Sequence, residues 1–185
     1  MQSLNPTLWR TCRMLAGATR LRLLRELHSR PGQMVSELAR AAGIGRSDAS
    51  QELRRIQSRG LLQAERRGAA LIYRLEPDSQ VVSAAPLLKA LRSTLAAQGP
   101  GQDAMIAALA NGLAHPRRLS IVKCLKQSPR SAYALHRAMQ TNHANIQRHL
   151  QTLAAGGYVH REGLLYHFTP PRHPLAKTLL KFLPD

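Results

Sequence analysis

Two stretches of the chain carry side chains suited to reading a nucleic acid. The first, Arg46 to Gly60, is RSDASQELRRIQSRG. Ala49, Leu53 and Ile56 fall on one face of a helix expected over 47–59. The other faces offer Arg46, Ser47, Ser50, Gln51, Arg54 and Arg55. The second, Ala144 to Gly157, is ANIQRHLQTLAAGG, with Ile146, Leu150 and Leu153 at the same offsets. It predicts a helix over 144–155 that presents Asn142, His143, Asn145, Gln147, Arg148 and Gln151. Arg pairs with guanine and Asn or Gln with adenine through two bonds each, while hydroxyls and further Arg residues hold phosphates. Ser47 is expected to cap the first helix, and Gly60 to take the left-handed position beyond its end.

Other chemistries find less support. No Gly-rich phosphate loop, nucleophile elbow or acid pair is present, so neither catalysis nor a cofactor is expected. Seven of the eight histidines lie in the second half: His115, His136, His143, His149, His160, His167 and His173. None has tight ligand spacing, and no metal site is expected. Cys12 and Cys124 fall at apolar positions of helices and read as small core residues. A redox bridge between them would need their helices to adjoin.

Charge agrees with a polyanion partner. The 185 residues hold 27 Lys and Arg against 10 Asp and Glu, a formal net charge of +17. The excess is spread: residues 1–97 carry 16 bases and 7 acids, and residues 98–185 carry 11 and 3. Neutralising phosphates with such a surface releases bound counterions. No run approaches the ~20 apolar residues of a membrane span, and the N-terminal stretch lacks the apolar core of a signal peptide. A reducing cytoplasm, in association with the nucleoid, is the expected location.

The elements that must position these residues are short helices and hairpins. Leu8 to Leu15 and Ala18 to His28 read as helices, and Ser29-Arg30-Pro31-Gly32 as a stop. A third helix runs to Ala42 and ends at Gly43, before the Arg46–Gly60 helix. Leu61 to Ala64 and Leu71 to Leu75 then read as strands flanking a basic hairpin tip at 65–70, where Arg66 and Arg67 could reach phosphate or the minor groove. Asp78 to Ala97 forms a further helix with Pro86 in its first turn.

Leu15-Ala-Gly-Ala-Thr-Arg-Leu-Arg-Leu-Leu, Ser36-Glu-Leu-Ala, the helix, Gly60-Leu-Leu and the hairpin ending Ile72-Tyr73-Arg74-Leu75 together resemble the winged-helix core of arsenic-repressor-type (ArsR-type) transcriptional regulators. The resemblance covers roughly residues 8–77. It implies a cytoplasmic, dimeric, operator-binding protein whose fourth helix reads the major groove and whose terminal helices make the dimer interface. The family often senses metals through cysteines in its third helix, but Ser36-Glu-Leu-Ala-Arg-Ala-Ala holds neither Cys nor His. A second family site uses Asp and His on the last helix, and Asp78 to Leu95 holds no His.

The pattern then recurs. Leu113-Ala-His-Pro-Arg-Arg-Leu-Ser-Ile-Val follows the opening phrase by 98 positions, Pro129 matches Pro31, Leu150 matches Leu53, and Tyr166 matches Tyr73 after a hairpin shorter by four. The expected architecture is mainly α with small β-hairpins: two tandem winged helix-turn-helix domains, 1–97 and 104–185, joined by a linker at 98–103. The hairpin of the second copy is only Arg161-Glu162-Gly163, whose acid opposes phosphate, so the first copy should hold DNA more tightly. Packing of the halves as an internal pseudo-dimer would read an asymmetric site; the rival is a homodimer of tandem chains. The function expected is a sequence-specific double-stranded DNA-binding transcriptional regulator, a repressor, with no membrane partner. Its competitors are an architectural or silencing protein with little sequence choice and a winged-helix protein-interaction module.

Overall fold

The computed structural model describes residues 6–184. The chain is mainly helical with small antiparallel hairpins, and it divides into two compact units. One unit contains residues 17–104; the other combines residues 8–16 with those from 105 onward. The helix α1 (Leu8–Leu15) therefore belongs with the second half of the chain, although the sequence expectation places it in the first domain, 1–97.

In the first unit, α2 (Ala18–Ser29) buries Leu21, Leu23, Leu24 and Leu27. A two-residue strand β1 (Gln33–Met34) leads into α3 (Val35–Ala42) and α4 (Arg46–Gln57). Gly43 ends α3 in the left-handed region at φ 64°; its N–H bonds to Arg40 O and the N–H of Ile44 to Ala39 O. That pairing satisfies carbonyls the helix would otherwise leave bare, and it sets the sharp entry into α4. Strands β2 (Gln63–Arg67) and β3 (Ala70–Arg74) form a hairpin, with β3 between β1 and β2. Helix α5 (Ala84–Ala97) buries Leu87, Leu88, Leu91 and Leu95.

The second unit repeats this succession. Helix α6 (Asp103–Gly112) precedes α7 (Pro116–Gln127), β4 (Arg130–Ser131), α8 (Ala132–Met139) and α9 (His143–Ala155). Strands β5 (Val159–Glu162) and β6 (Leu165–Phe168) follow, then α10 (Pro174–Lys181). The sheet order β4-β6-β5 mirrors β1-β3-β2, and even the register agrees: Gln33 pairs with Tyr73 and Arg130 with Tyr166.

Several boundaries differ from the sequence expectation. Ser47 is not the cap of α4: the helix begins at Arg46, with Gly45 in the cap position and no side-chain cap bond. Leu61 and Leu62 are buried but lie before the strand, and Glu65 to Arg67 belong to β2. The hairpin tip is therefore only Gly68-Ala69, with Gly68 at φ 60° supplying the primed two-residue turn. Helix α5 starts at Ala84 rather than Asp78, because the chain first closes over Gly60. Asp78 N–H bonds to Gly60 O, and Val81 packs so near that a Cβ on Gly60 would lie 2.8 Å from the Val81 Cβ.

The segment 98–103 is held firmly. The Arg25 guanidinium donates to the carbonyls of Leu95, Gln98 and Gly99 and pairs with Asp103 at 2.5 Å. In the second unit, Arg118 performs a related task at the end of α6, donating from Nε to Gly112 O and from Nη2 to Asn111 O. Tyr158 lies against the same helix, its hydroxyl donating to Leu109 O at 3.0 Å. Cβ atoms at Gly112 or Gly156 would meet the Tyr158 ring at 2.6 and 3.1 Å.

Candidate nucleic-acid interface

Helices α4 and α9 each bury a single stripe: Ala49, Leu53 and Ile56 in one, Ile146, Leu150 and Leu153 in the other. On α4, Arg46, Ser47, Gln51, Arg54 and Arg55 are exposed and Ser50 is half-buried. Arg46 and Arg54 make no side-chain hydrogen bond or ion pair among the described residues, so their donors face solvent. Arg55 is different: it pairs with Glu52, which also receives Arg20 of α2 at 2.6 Å. The Arg20–Glu52 bridge is mostly shielded from solvent and holds α4 against α2.

On α9, His143, Arg148 and Gln151 are exposed, while Asn145 and Gln147 are half-buried. Asn142 sits at the helix start, where its Oδ1 accepts the N–H of Asn145 at 2.8 Å. That use orients its amide and leaves the NH₂ group for other partners. Gln147 accepts the hydroxyl of Tyr166 at 3.3 Å, so it is held toward the hairpin. Alignment of the buried Leu53 with Leu150 places Gln51 opposite Arg148 and Arg54 opposite Gln151. The two helices thus present the same pair of residue types in exchanged order, three residues apart on one face.

The hairpins differ more. Along β2, Ala64 and Arg66 share a face with the buried Tyr73, while Glu65 and Arg67 point to the opposite face. There Glu65 accepts Arg67 at 3.0 and 3.2 Å, with Arg74 at 4.0 Å. The hydrogen bond from Arg67 holds the Glu65 carboxyl below its usual range. Arg67 is therefore engaged by an acid, and Arg66 is the hairpin cation without a partner among the described residues. The second hairpin turns earlier, at Gly163-Leu164, and exposes Leu164 by 77% at its tip. Measured from the matched Tyr73 and Tyr166, its last strand pair comes two residues sooner, at Leu165 rather than at the counterpart of Ala70, so it reaches about 7 Å less far.

Histidines bring together groups that sequence spacing did not. His149 is turned from the exposed face of α9: its ring lies 4.7 Å from that of His115. Burial first, then His115, Arg118, Arg117 and Arg148, push the His149 imidazole down to about 4. On the second hairpin, His160, Glu162 and His167 converge, with possible ligand atoms all within 4.8 Å. The signal for this cluster was present but indirect: it follows only once the turn is centred on Gly163-Leu164, which sets His160 directly across from His167. Cys12 and Cys124 are both free thiols; burial raises that of Cys12 well above the ordinary thiol value.

No helix among the described residues is long and apolar enough to cross a membrane. Comparison of the chain with protein-family models, with curated proteins and with solved structures finds no match.

Proposed function

We propose that the protein is a double-stranded DNA-binding transcriptional regulator, a repressor of the arsenic-repressor type, built from two tandem winged helix-turn-helix units and acting at the nucleoid without catalysis. The observation that carries this reading is the exposed face of α4, where Arg46, Gln51 and Arg54 stand clear of the buried Ala49-Leu53-Ile56 stripe. A helix of this kind fits the major groove with its amide and guanidinium groups at base edges. The hairpin with Arg66 then serves as a wing on the backbone or in the minor groove. Helix α9 supplies a second reader with Arg148 and Gln151 in reversed order.

The net charge of +17 favours a second reading, an architectural protein that coats DNA with little sequence choice. Selection of bound fragments from random duplex DNA separates the two. A regulator yields a defined, asymmetric motif, as expected of unlike reading helices; a flat profile would establish coating instead. Light scattering of the unbound protein gives the second part of the answer. A mass near 20.4 kDa supports one chain as the reading entity, and about 41 kDa means a dimer of tandem chains.

A further inference from the structure

We propose that His160, Glu162 and His167 form a binding site for a divalent transition-metal ion of the zinc class on the second hairpin. His160 and His167 are directly paired across the strands, and Glu162 lies two residues along β5 on the same face. The imidazole rings stack with centroids 5.1 Å apart, and Glu162 Oε2 lies 3.7 Å from His167 Nε2. Ligand atoms from the three lie within 4.8 Å of one another. Binding at metal–ligand distances of about 2.0–2.2 Å requires closure by roughly 1 Å, within reach of side chains on a hairpin surface. His160 Nδ1 bonds Thr169 Oγ1 at 2.9 Å, which orients the ring and leaves Nε2 to ligate. Two imidazole nitrogens and one carboxylate oxygen, with the remaining positions open to water, suit Zn(II), Co(II) or Ni(II) rather than Mg(II) or Ca(II).

The first hairpin strengthens the assignment by contrast. Its matching positions on the same face are Gln63, Glu65 and Arg74, and its Glu65 is satisfied by Arg67 and Arg74. In the second hairpin the acid is kept, while imidazoles stand at the positions of Gln63 and Arg74. A carboxylate that is neutralised by guanidinium groups in one copy faces two metal ligands in the other. The site is independent of the DNA reading, since its test uses the metal alone.

Co(II) titrated into the full-length protein should produce visible d–d absorption that saturates at one ion per chain and is displaced by Zn(II). His160→Ala and His167→Ala should each weaken binding by at least about tenfold. Glu162→Gln should weaken it by a smaller factor, and His28→Ala, outside the cluster, should leave it unchanged. Circular dichroism checks that the substituted hairpins remain folded. Absence of saturable Co(II) binding up to millimolar concentration, or undiminished binding in the His160→Ala/His167→Ala double variant, would overturn the assignment.

Discussion

At the residue level, one matched set of positions takes opposite solutions in the two units. In the first unit, Gly17 leaves space beside Arg20, whose guanidinium fills the place a Cβ on Gly17 would approach at 2.2 Å, and Arg20 bridges to Glu52. The corresponding residues of the second unit are His115, Arg118 and His149. There the His115 and His149 rings pack together, and Arg118 turns instead to the last carbonyls of α6. This exchange has a consequence for pH. The folded chain keeps His149 neutral down to about 4, whereas the ordinary value is 6.5. The unfolded chain therefore binds more protons across that interval, and stability falls as pH drops from about 6.5 to about 4. Thermal melting followed by circular dichroism should show this decline, and His149→Gln should flatten it. Gln140 gives a second prediction. It takes φ 47° at the end of α8, where the first unit uses Gly43, and it is the one non-glycine residue with positive φ among those described. Gln140→Gly relieves that strain and should stabilise the protein by about 0.5–1 kcal/mol, measurable by urea unfolding.

Among the elements, the proposed reading gives sequence preference to helices α4 and α9 and backbone contact to the hairpins. Gln51 and Arg54 occupy the exposed face of α4 and carry base preference in the proposed reading. In the same proposed reading, Arg66 on β2 contacts phosphate. Gln51→Ala should therefore relax discrimination at one base pair by about 1–3 kcal/mol. Arg66→Ala should weaken all sequences alike and reduce the slope of log affinity against log salt by about 0.9. Fluorescence anisotropy over a range of salt, on the selected motif and on single-base variants, measures both. If Gln51→Ala binds every variant as the parent does, the base contact is misassigned. Arg67 is expected to contribute less than Arg66, because Glu65 already holds it. In that proposed reading the second hairpin, which ends in Leu164 and carries Glu162, contributes less, and Arg148 and Gln151 on α9 are the chief groups for that half.

For the whole molecule, the units and the repeats do not coincide. Helix α1 buries Leu8, Cys12, Met14 and Leu15 as part of the unit formed by the second half. Cys12 lies close enough to Arg118 and Tyr158 for their charges to bear on one another. The first unit is drawn mainly from the stretch 17–104, with residues 6–7 added from before α1, and is closed by Arg25 on Asp103. Residues 17–104 alone should unfold cooperatively on heating, whereas residues 105–185 alone should not. Adding a peptide of residues 6–16 should restore a cooperative transition to the latter. Cooperative melting of 105–185 without that peptide would show that α1 is dispensable to its core.

Local pattern determined a large part of this protein. Ala49-Leu53-Ile56 and Ile146-Leu150-Leu153 fixed the buried faces of α4 and α9, and with them the exposed Arg46, Gln51 and Arg54 of one and Arg148 and Gln151 of the other, because helical periodicity ties each burial choice to its opposite face. The 98-residue and 97-residue offsets likewise make the repeated succession of helices and hairpins legible in the sequence alone. Other features depend on atoms distant in the chain. Whether Arg67 is free or held by Glu65 depends on which strand face each occupies, and that follows from where the turn closes. The meeting of His160 with His167 depends on the same register, and the pairing of His115 with His149 on the packing of α7 and α9. The membership of α1 was beyond reach of periodicity for a further reason: an apolar stripe states that a helix must be covered, while only the tertiary packing decides by which half of the chain.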